Sequence, residues 1–319
     1  MKMPKPLAPV GTKALPQVQP DDRIAIAVQG LVKRFGAIAA VDQLEFRVRV
    51  GETVALWGAN GAGKTTVLRC VLGVIFFEGS IEVLGQDVRL HGKAARRLLG
   101  YVPQELGLYG EQTAMETVAF YARLRRVPVA RALSLLDTWH LGEAARQPVR
   151  SLSGGMKQKL ALVIALLADP PVMLLDEPTS SLDVRTRREF AVLLERLKQA
   201  GKTLLLCSHR ASEVLKLADR VVVLDRGRKV EDGTPEQVRD RLSEQAVLGL
   251  TVSPSQKTEA AALLERHGFT VHLNGVQIWV EVGAGRKAEP LRLLAESQIP
   301  VLDFELEQGC SGVDAPTPR

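Results

Sequence analysis

Short apolar runs recur along the chain: TVALW at 53–57, VMLLD at 172–176, TLLLCS at 203–208 and RVVVLD at 220–225. Their length and leucine and β-branched content predict strands. Between them apolar positions recur three and four apart, predicting helices at about 64–73, 157–168 and 184–200. Strands alternating with helices predict a mostly parallel sheet covered on both faces. Ahead of these, IAIAV at 24–28 and the alternating LEFRVRV at 44–50 read as further strands. Residues 93–150 have a different texture, with helical spacing in AMETVAFYARLRR and ARALSLLDTWH and breaks at Pro128 and Pro148, and predict a helical insert.

Near residue 236 the pattern changes again. GLTV at 249–252, a helix at 255–267, FTVHL, VQIWVEV, a helix at 286–297 and VLDFELE follow in order. Asn274-Gly275 between two alternating runs signals a hairpin. The order β-α-β-β-α-β predicts a small ferredoxin-like α+β unit. The chain therefore divides into a flexible arm at 1–22, an α/β domain at 23–240, an accessory domain at 246–308 and a disordered tail at 309–319.

Composition narrows the classes. Of 319 residues, 46% are hydrophobic, enough for a sizeable core. Aromatics at 4% argue against a stacking surface for single-stranded nucleic acid, so no nucleic-acid partner is expected. The net charge of +6 suits an anionic ligand or an anionic membrane face. Cys70, Cys207 and Cys310 are too scattered for a disulfide framework and read as buried thiols in a reducing compartment. The histidines lack metal-ligand spacing, so no metal is expected beyond one carried by a bound ligand. Lys2 and Lys5 are followed by Pro4, Pro6, Pro9 and Pro16 without an apolar run, which predicts no signal peptide. The longest apolar run, 160–168, is about half a membrane span. Any work at a membrane is expected to pass through a partner.

Three segments carry chemistry. Gly58, Ala59, Asn60, Gly61, Ala62, Gly63, Lys64, Thr65 and Thr66 lie between a strand and a helix. Glycines let successive amides curl toward an anion, and the helix start adds a positive dipole end. Lys64 is expected to reach the β- and γ-phosphates and the Thr65 hydroxyl to bind Mg²⁺. Asp176 and Glu177 close the strand VMLLD, placing one carboxylate for Mg²⁺ and one beside a hydrolytic water. Ser153, Gly154 and Gly155 head a third segment, Ser151–Gln158, with Ser153 placed as a helix N-cap. A second anion-binding helix start in a chain that already has one makes sense if it meets the γ-phosphate held by another copy.

Together these segments resemble an ABC-type ATP-binding subunit over roughly residues 24–240, with every element in family order. The resemblance implies a P-loop NTPase fold, ATP and Mg²⁺ as ligand and ion, and hydrolysis to ADP and phosphate. It assigns Phe35 to adenine stacking and Gln104 to Mg²⁺ contact and partner sensing. Ser153, Gly154 and Gly155 become the signature facing the partner's ATP. Ser181-Leu182-Asp183 becomes the loop between the two sites, and His209 the switch histidine near the γ-phosphate. Asp176 and Glu177 take the Mg²⁺ and general-base positions.

Two positions depart from the family's common pattern: Met156 stands where glutamine is usual and Ser181 where glycine is common. Neither removes a phosphate ligand or the base. Met156 followed by KQKL resembles exporters more than nutrient importers. The expected partners are a second ATP-binding subunit, as a homodimer, and an integral membrane permease, with the chain peripheral on the cytoplasmic face. A soluble ATPase with a regulatory or assembly role is the alternative. The C-terminal unit resembles an extension found on some exporter ATPases. Arg123, Arg125, Arg126 and Arg131 form a basic cluster in the helical segment, as a solvated face or as a contact to a membrane partner or anionic lipid.

Overall fold

The computed structural model describes residues 23–244, 246–273, 277–283 and 286–308. The arm at 1–22, the Asn274-Gly275 hairpin, Cys310 and the tail at 309–319 lie outside the described residues.

In chain order the first unit contains β1 (Ile24–Phe35), β2 (Ile38–Arg49), β3 (Thr53–Trp57), α1 (Lys64–Val71), β4 (Glu78–Val83), β5 (Gln86–Asp87), α2 (Gly92–Arg97) and β6 (Leu99–Val102). It continues with α3 (Ala114–Arg125), α4 (Val129–Thr138), α5 (Gly154–Leu166), β7 (Val172–Asp176), α6 (Val184–Gln199), β8 (Thr203–Ser208), α7 (Ala211–Leu217), β9 (Arg220–Asp225), β10 (Arg228–Gly233) and α8 (Pro235–Glu244).

The central sheet has the order β10-β9-β3-β8-β7-β6, parallel throughout except for β10. Its strands alternate between two cores. Ala55, Met173, Leu175, Leu204, Leu206, Val221 and Val223 face one, together with buried residues of α3 to α6. Val54, Leu56, Val172, Leu174, Leu205, Val222 and Leu224 face the other, with α1 and the antiparallel sheet β2-β1-β4-β5. Burial on both faces accounts for the unbroken apolar runs in the sequence. Parallel strands also place all their C-terminal ends on one side, where the loops after β3, β7 and β8 converge.

The segment 93–150 is not helical throughout. Leu99–Val102 forms β6, paired in parallel with β7, and belongs to the sheet. A four-residue strand between helical patterns has no periodicity of its own, and its pairing partner lies about seventy residues downstream. The helices proper are α3 and α4. Thr113 and Glu116 cap α3 reciprocally, the Thr113 hydroxyl accepting from the Glu116 amide and the Glu116 carboxylate accepting from the Thr113 amide. Of the basic cluster, Arg131 is structural, since its Nε donates to the Leu167 carbonyl at 3.0 Å. Arg123, Arg125 and Arg126 are exposed at the end of α3.

The second unit comprises β11 (Ala246–Val252), α9 (Lys257–Arg266), β12 (Val271–Leu273), β13 (Ile278–Val282), α10 (Glu289–Glu296) and β14 (Val301–Gln308). Its antiparallel sheet has the order β12-β13-β11-β14, which is the ferredoxin-like arrangement. Leu248, Leu250, Ile278, Val280, Leu264 and Leu294 form its separate core.

Candidate functional site

The loop between β3 and α1 turns tightly against its neighbours. Gly63 has φ 99°, and a β-carbon there would fall 2.4 Å from the Ala40 carbonyl oxygen. Only glycine fits both the left-handed backbone and that approach. The same contact seats the β1–β2 hairpin, with Phe35 at its turn, beside the loop. The Phe35 ring is half-exposed, and Lys33 Nζ stands 4.7 Å from its centroid.

Lys64, the first residue of α1, is buried, and its Nζ donates to the carbonyls of Gly58 and Ala59 at 2.8 and 3.0 Å. It also lies 3.5 Å from Glu177 Oε1. Thr65 Oγ1 donates to Asp176 Oδ1 at 2.9 Å. Tyr101 on β6 approaches the other oxygen, Oδ2, at 3.4 Å. Burial pushes the Asp176 carboxyl above the usual range, outweighing the Thr65 and Tyr101 bonds that pull it down. Burial likewise raises the Tyr101 phenol.

Glu177 follows β7 with φ 47°, an uncommon conformation for a non-glycine residue, and its amide donates to the Cys207 carbonyl at 3.1 Å. That turn sends the adjacent carboxylates in different directions. Asp176 meets Thr65, while Glu177 meets Lys64 on one oxygen and His209 Nδ1, at 2.8 Å, on the other. His209 comes from the end of β8 and is part exposed.

A second cluster forms at the starts of α5 and α6. Ser153 caps α5, its hydroxyl accepting from the Met156 amide at 3.2 Å. Asp183 caps α6, accepting the Thr186 amide at 2.9 Å and its hydroxyl at 3.0 Å. Gly155 is buried against Thr186, and a β-carbon on it would lie 2.1 Å from Thr186 Cγ2. Ser153 and Gly154 are exposed.

Lys64, Thr65, Asp176, Glu177 and His209 thus meet in one place. Ser153, Gly154, Gly155 and Asp183 form a separate group. Asn60 and Gly61 are exposed on the loop, Ala62 is buried, and Gln104 is exposed two residues beyond β6. Tyr101, Thr186 and Glu213 were not singled out by the sequence. Tyr101 stands in the same YVPQ run as Gln104, whereas Thr186 and Glu213 carry no local signal and are brought in by tertiary contacts.

A lysine-bearing loop between strand and helix, with a buried carboxylate pair at the end of β7, two strands along the sheet from β3, defines a P-loop nucleoside triphosphatase. The family model described as ABC transporter matches residues 41–180. The Nod factor export ATP-binding protein I of Ralstonia nicotianae is 38% identical over 218 residues, covering 67% of this chain and 68% of that protein. The sulfate/thiosulfate import ATP-binding protein CysA of Bradyrhizobium diazoefficiens is 34% identical over 288 residues, covering 87% and 78%. Among solved structures, a dimeric ATP-binding cassette in a post-hydrolysis state with ADP and Pi superposes with a TM-score of 0.60. It is 26% identical and covers 66% of this chain and 98% of that one. The chain belongs to the ABC transporter family, as one of its ATP-binding, ATP-hydrolysing subunits. Among the described residues no helix is long and apolar enough to cross a membrane.

Proposed function

We propose that this chain is the motor of an exporter, working as a head-to-tail pair on the cytoplasmic face of a membrane beside a separate permease. The observation that carries the reading is the convergence of Lys64, Thr65, Asp176, Glu177 and His209 on one side of the sheet. Lys64 holds the β- and γ-phosphates, and the amides of Asn60, Gly61, Ala62, Gly63, Lys64, Thr65 and Thr66 line the loop around them. Phe35 stacks on adenine. Glu177 orients and polarises the attacking water, and His209 holds the Glu177 carboxylate and faces the γ-phosphate.

The donor set fits Mg²⁺: the Thr65 hydroxyl and the Asp176 carboxylate are hard oxygen ligands, and a carboxylate whose charged form burial disfavours gains from a cation beside it. Gln104 adds a third oxygen from the loop after β6. When bound, Mg²⁺ neutralises charge on the transferring phosphoryl group.

Ser153, Gly154 and Gly155 complete the partner's site. The exposure of Ser153 and Gly154, and their separation from Lys64's cluster, leave the α5 start free to meet a second copy's ATP, with Asp183 linking the two sites. The solved dimeric relative supports a two-subunit arrangement. Export is favoured by the Nod factor relative, 38% identical over 218 residues against 34% over 288 for the sulfate importer, and by Met156 with its KQKL continuation.

The test is Glu177→Gln. Its expected outcome is an ATP-dependent dimer on sizing, with hydrolysis lost and nucleotide affinity kept. A variant that binds ATP but stays monomeric would overturn the head-to-tail scheme. Detergent extraction from native membranes tests the permease: a co-purifying chain with about six hydrophobic spans is expected, and a clean soluble dimer would favour a regulatory or assembly role.

A further inference from the structure

Behind the reacting groups lies a polar cluster with no part in the roles above. Glu213, in the first turn of α7, places its carboxylate among residues from three other elements. Oε1 accepts from the Thr179 hydroxyl, two residues beyond Glu177, and lies 3.5 Å from Arg187 Nε on α6. Oε2 accepts from the Ser208 hydroxyl, the residue before His209, at 3.2 Å. Ser208 Oγ in turn accepts the Arg210 amide at 3.0 Å, closing the turn that carries His209. Arg187 Nη2 donates to the Leu182 carbonyl at 2.8 Å, and Arg210 Nη2 to the Ser180 carbonyl at 3.4 Å, so both guanidinium groups grip the inter-site loop. Thr179 and Ser208 are fully enclosed, and Glu213 is 12% exposed. A charged acceptor bonded at both oxygens in such a setting is held rigidly.

We infer that Glu213 is a positioning residue for ATP hydrolysis: it locks the turn carrying Glu177 to the turn carrying His209 and, through Arg187, ties both to the loop at 180–183. The inference rests on the reading that Glu177 and His209 act on ATP. The 2.8 Å contact between those two side chains joins loops from different strands. Their alignment depends on how the loops are fixed behind them, and Glu213 is the group bonded to both. The same carboxylate also reaches the loop through which one ATP site communicates with the other. Loss of Glu213 then degrades the alignment needed in the transition state while leaving the phosphate loop, which it does not touch, intact.

Steady-state hydrolysis and equilibrium ATP binding of the full chain test this in Glu213→Ala, Glu213→Gln, Ser208→Ala and the Glu213→Gln/Ser208→Ala double variant. Glu177→Gln serves as the control. Displacement of catalytic groups by about 1 Å costs about 100-fold, so kcat falls by that order in Glu213→Ala. It falls by about tenfold in Glu213→Gln, which keeps one acceptor oxygen and loses the charge. KM and ATP affinity stay within about twofold, because uniform binding is untouched. Ser208→Ala removes the bond to Glu213 and also the acceptor of the Arg210 amide, so it lowers kcat by itself, and the double variant loses less than the two single effects combined. Wild-type kcat in the Glu213 variants, equal losses of ATP affinity and kcat, or additive effects of Glu213→Gln and Ser208→Ala would each overturn the inference. Full hydrolysis surviving in Glu177→Gln would instead sink the reading beneath it.

Discussion

Two single-atom contacts decide how the starts of α5 and α6 fit together. A methyl group added at Gly155 would stand 2.1 Å from Thr186 Cγ2, and Thr186 cannot rotate away without breaking its hydroxyl bond to Asp183. Gly155→Ala is therefore expected to destabilise the fold by about 1–3 kcal/mol, the usual cost of overpacking. Thr186→Ser keeps the hydroxyl and removes the clashing methyl, so the Gly155→Ala/Thr186→Ser pair should recover most of that loss. Urea denaturation of the four proteins gives the coupling directly; additive effects would show that the clash is relieved elsewhere. Asp183 carries a pH dependence at the same spot. The bond from the Thr186 amide, the largest cause, with the Thr186 hydroxyl behind it, holds the Asp183 carboxyl below its ordinary 3.8. The folded value lies below the unfolded one, so the cap's stabilisation is complete above the unfolded value and lost as pH falls through the folded one. The Asp183→Asn variant keeps a side chain that caps equally well and does not titrate. Wild type should therefore lose stability relative to Asp183→Asn as the pH drops below 3.8, followed by denaturant midpoint against pH.

At the scale of elements, Arg220 ties three strands together. It pairs with both oxygens of Asp232, at 2.6 and 2.8 Å, and donates to the Arg47 carbonyl at 3.0 Å, so β9, β10 and β2 share one guanidinium. Arg220→Ala should cost about 1 kcal/mol, a modest figure because the pair is partly open to solvent. Asp232→Asn should cost about the same, and the double variant little more; urea midpoints measure all three. The central sheet was legible in the sequence where strands are buried on both faces: 172–176, 203–208 and 220–225 stand where the apolar runs predict them. β4, β5 and β6 were not, for a common reason. Glu78–Val83 buries only Ile81 and Val83, Gln86–Asp87 is two residues long, and Leu99–Val102 is too short to carry a period. β4 and β6 are held by partner strands distant in sequence, which no local pattern encodes, and β5 pairs only with β4 across the turn at 84–85. The site divides in the same way. The phosphate loop, the Asp176-Glu177 pair and the Ser153 cap are contiguous segments whose chemistry is local. Tyr101, Thr186 and Glu213 take their places only once β6, α6 and α7 have packed.

For the whole molecule, the consequence is two units with different loads. The groups proposed to bind nucleotide all belong to the unit whose cores run from Ala25 to Val238, whereas the core of the β-α-β-β-α-β unit runs from Leu248 to Ile299. Cores built from separate residues can melt separately, so denaturant should reveal two transitions rather than one. A ligand that binds only one unit stabilises only that unit: Mg²⁺ and ATP at about 100 times the dissociation constant should raise it by about 2.7 kcal/mol. The tryptophans allow each unit to be followed alone, since Trp57 and Trp139 lie in the first and Trp279 in the second. Fluorescence of Trp279→Phe then reports the first transition, and the difference from wild type reports the second. The expected result is a nucleotide-dependent midpoint in Trp279→Phe and an unmoved midpoint in the difference signal. A single shared transition, shifted equally by ATP in both signals, would mean that nucleotide binding reaches the accessory unit through a stabilising contact, and would make that unit part of the motor's cycle.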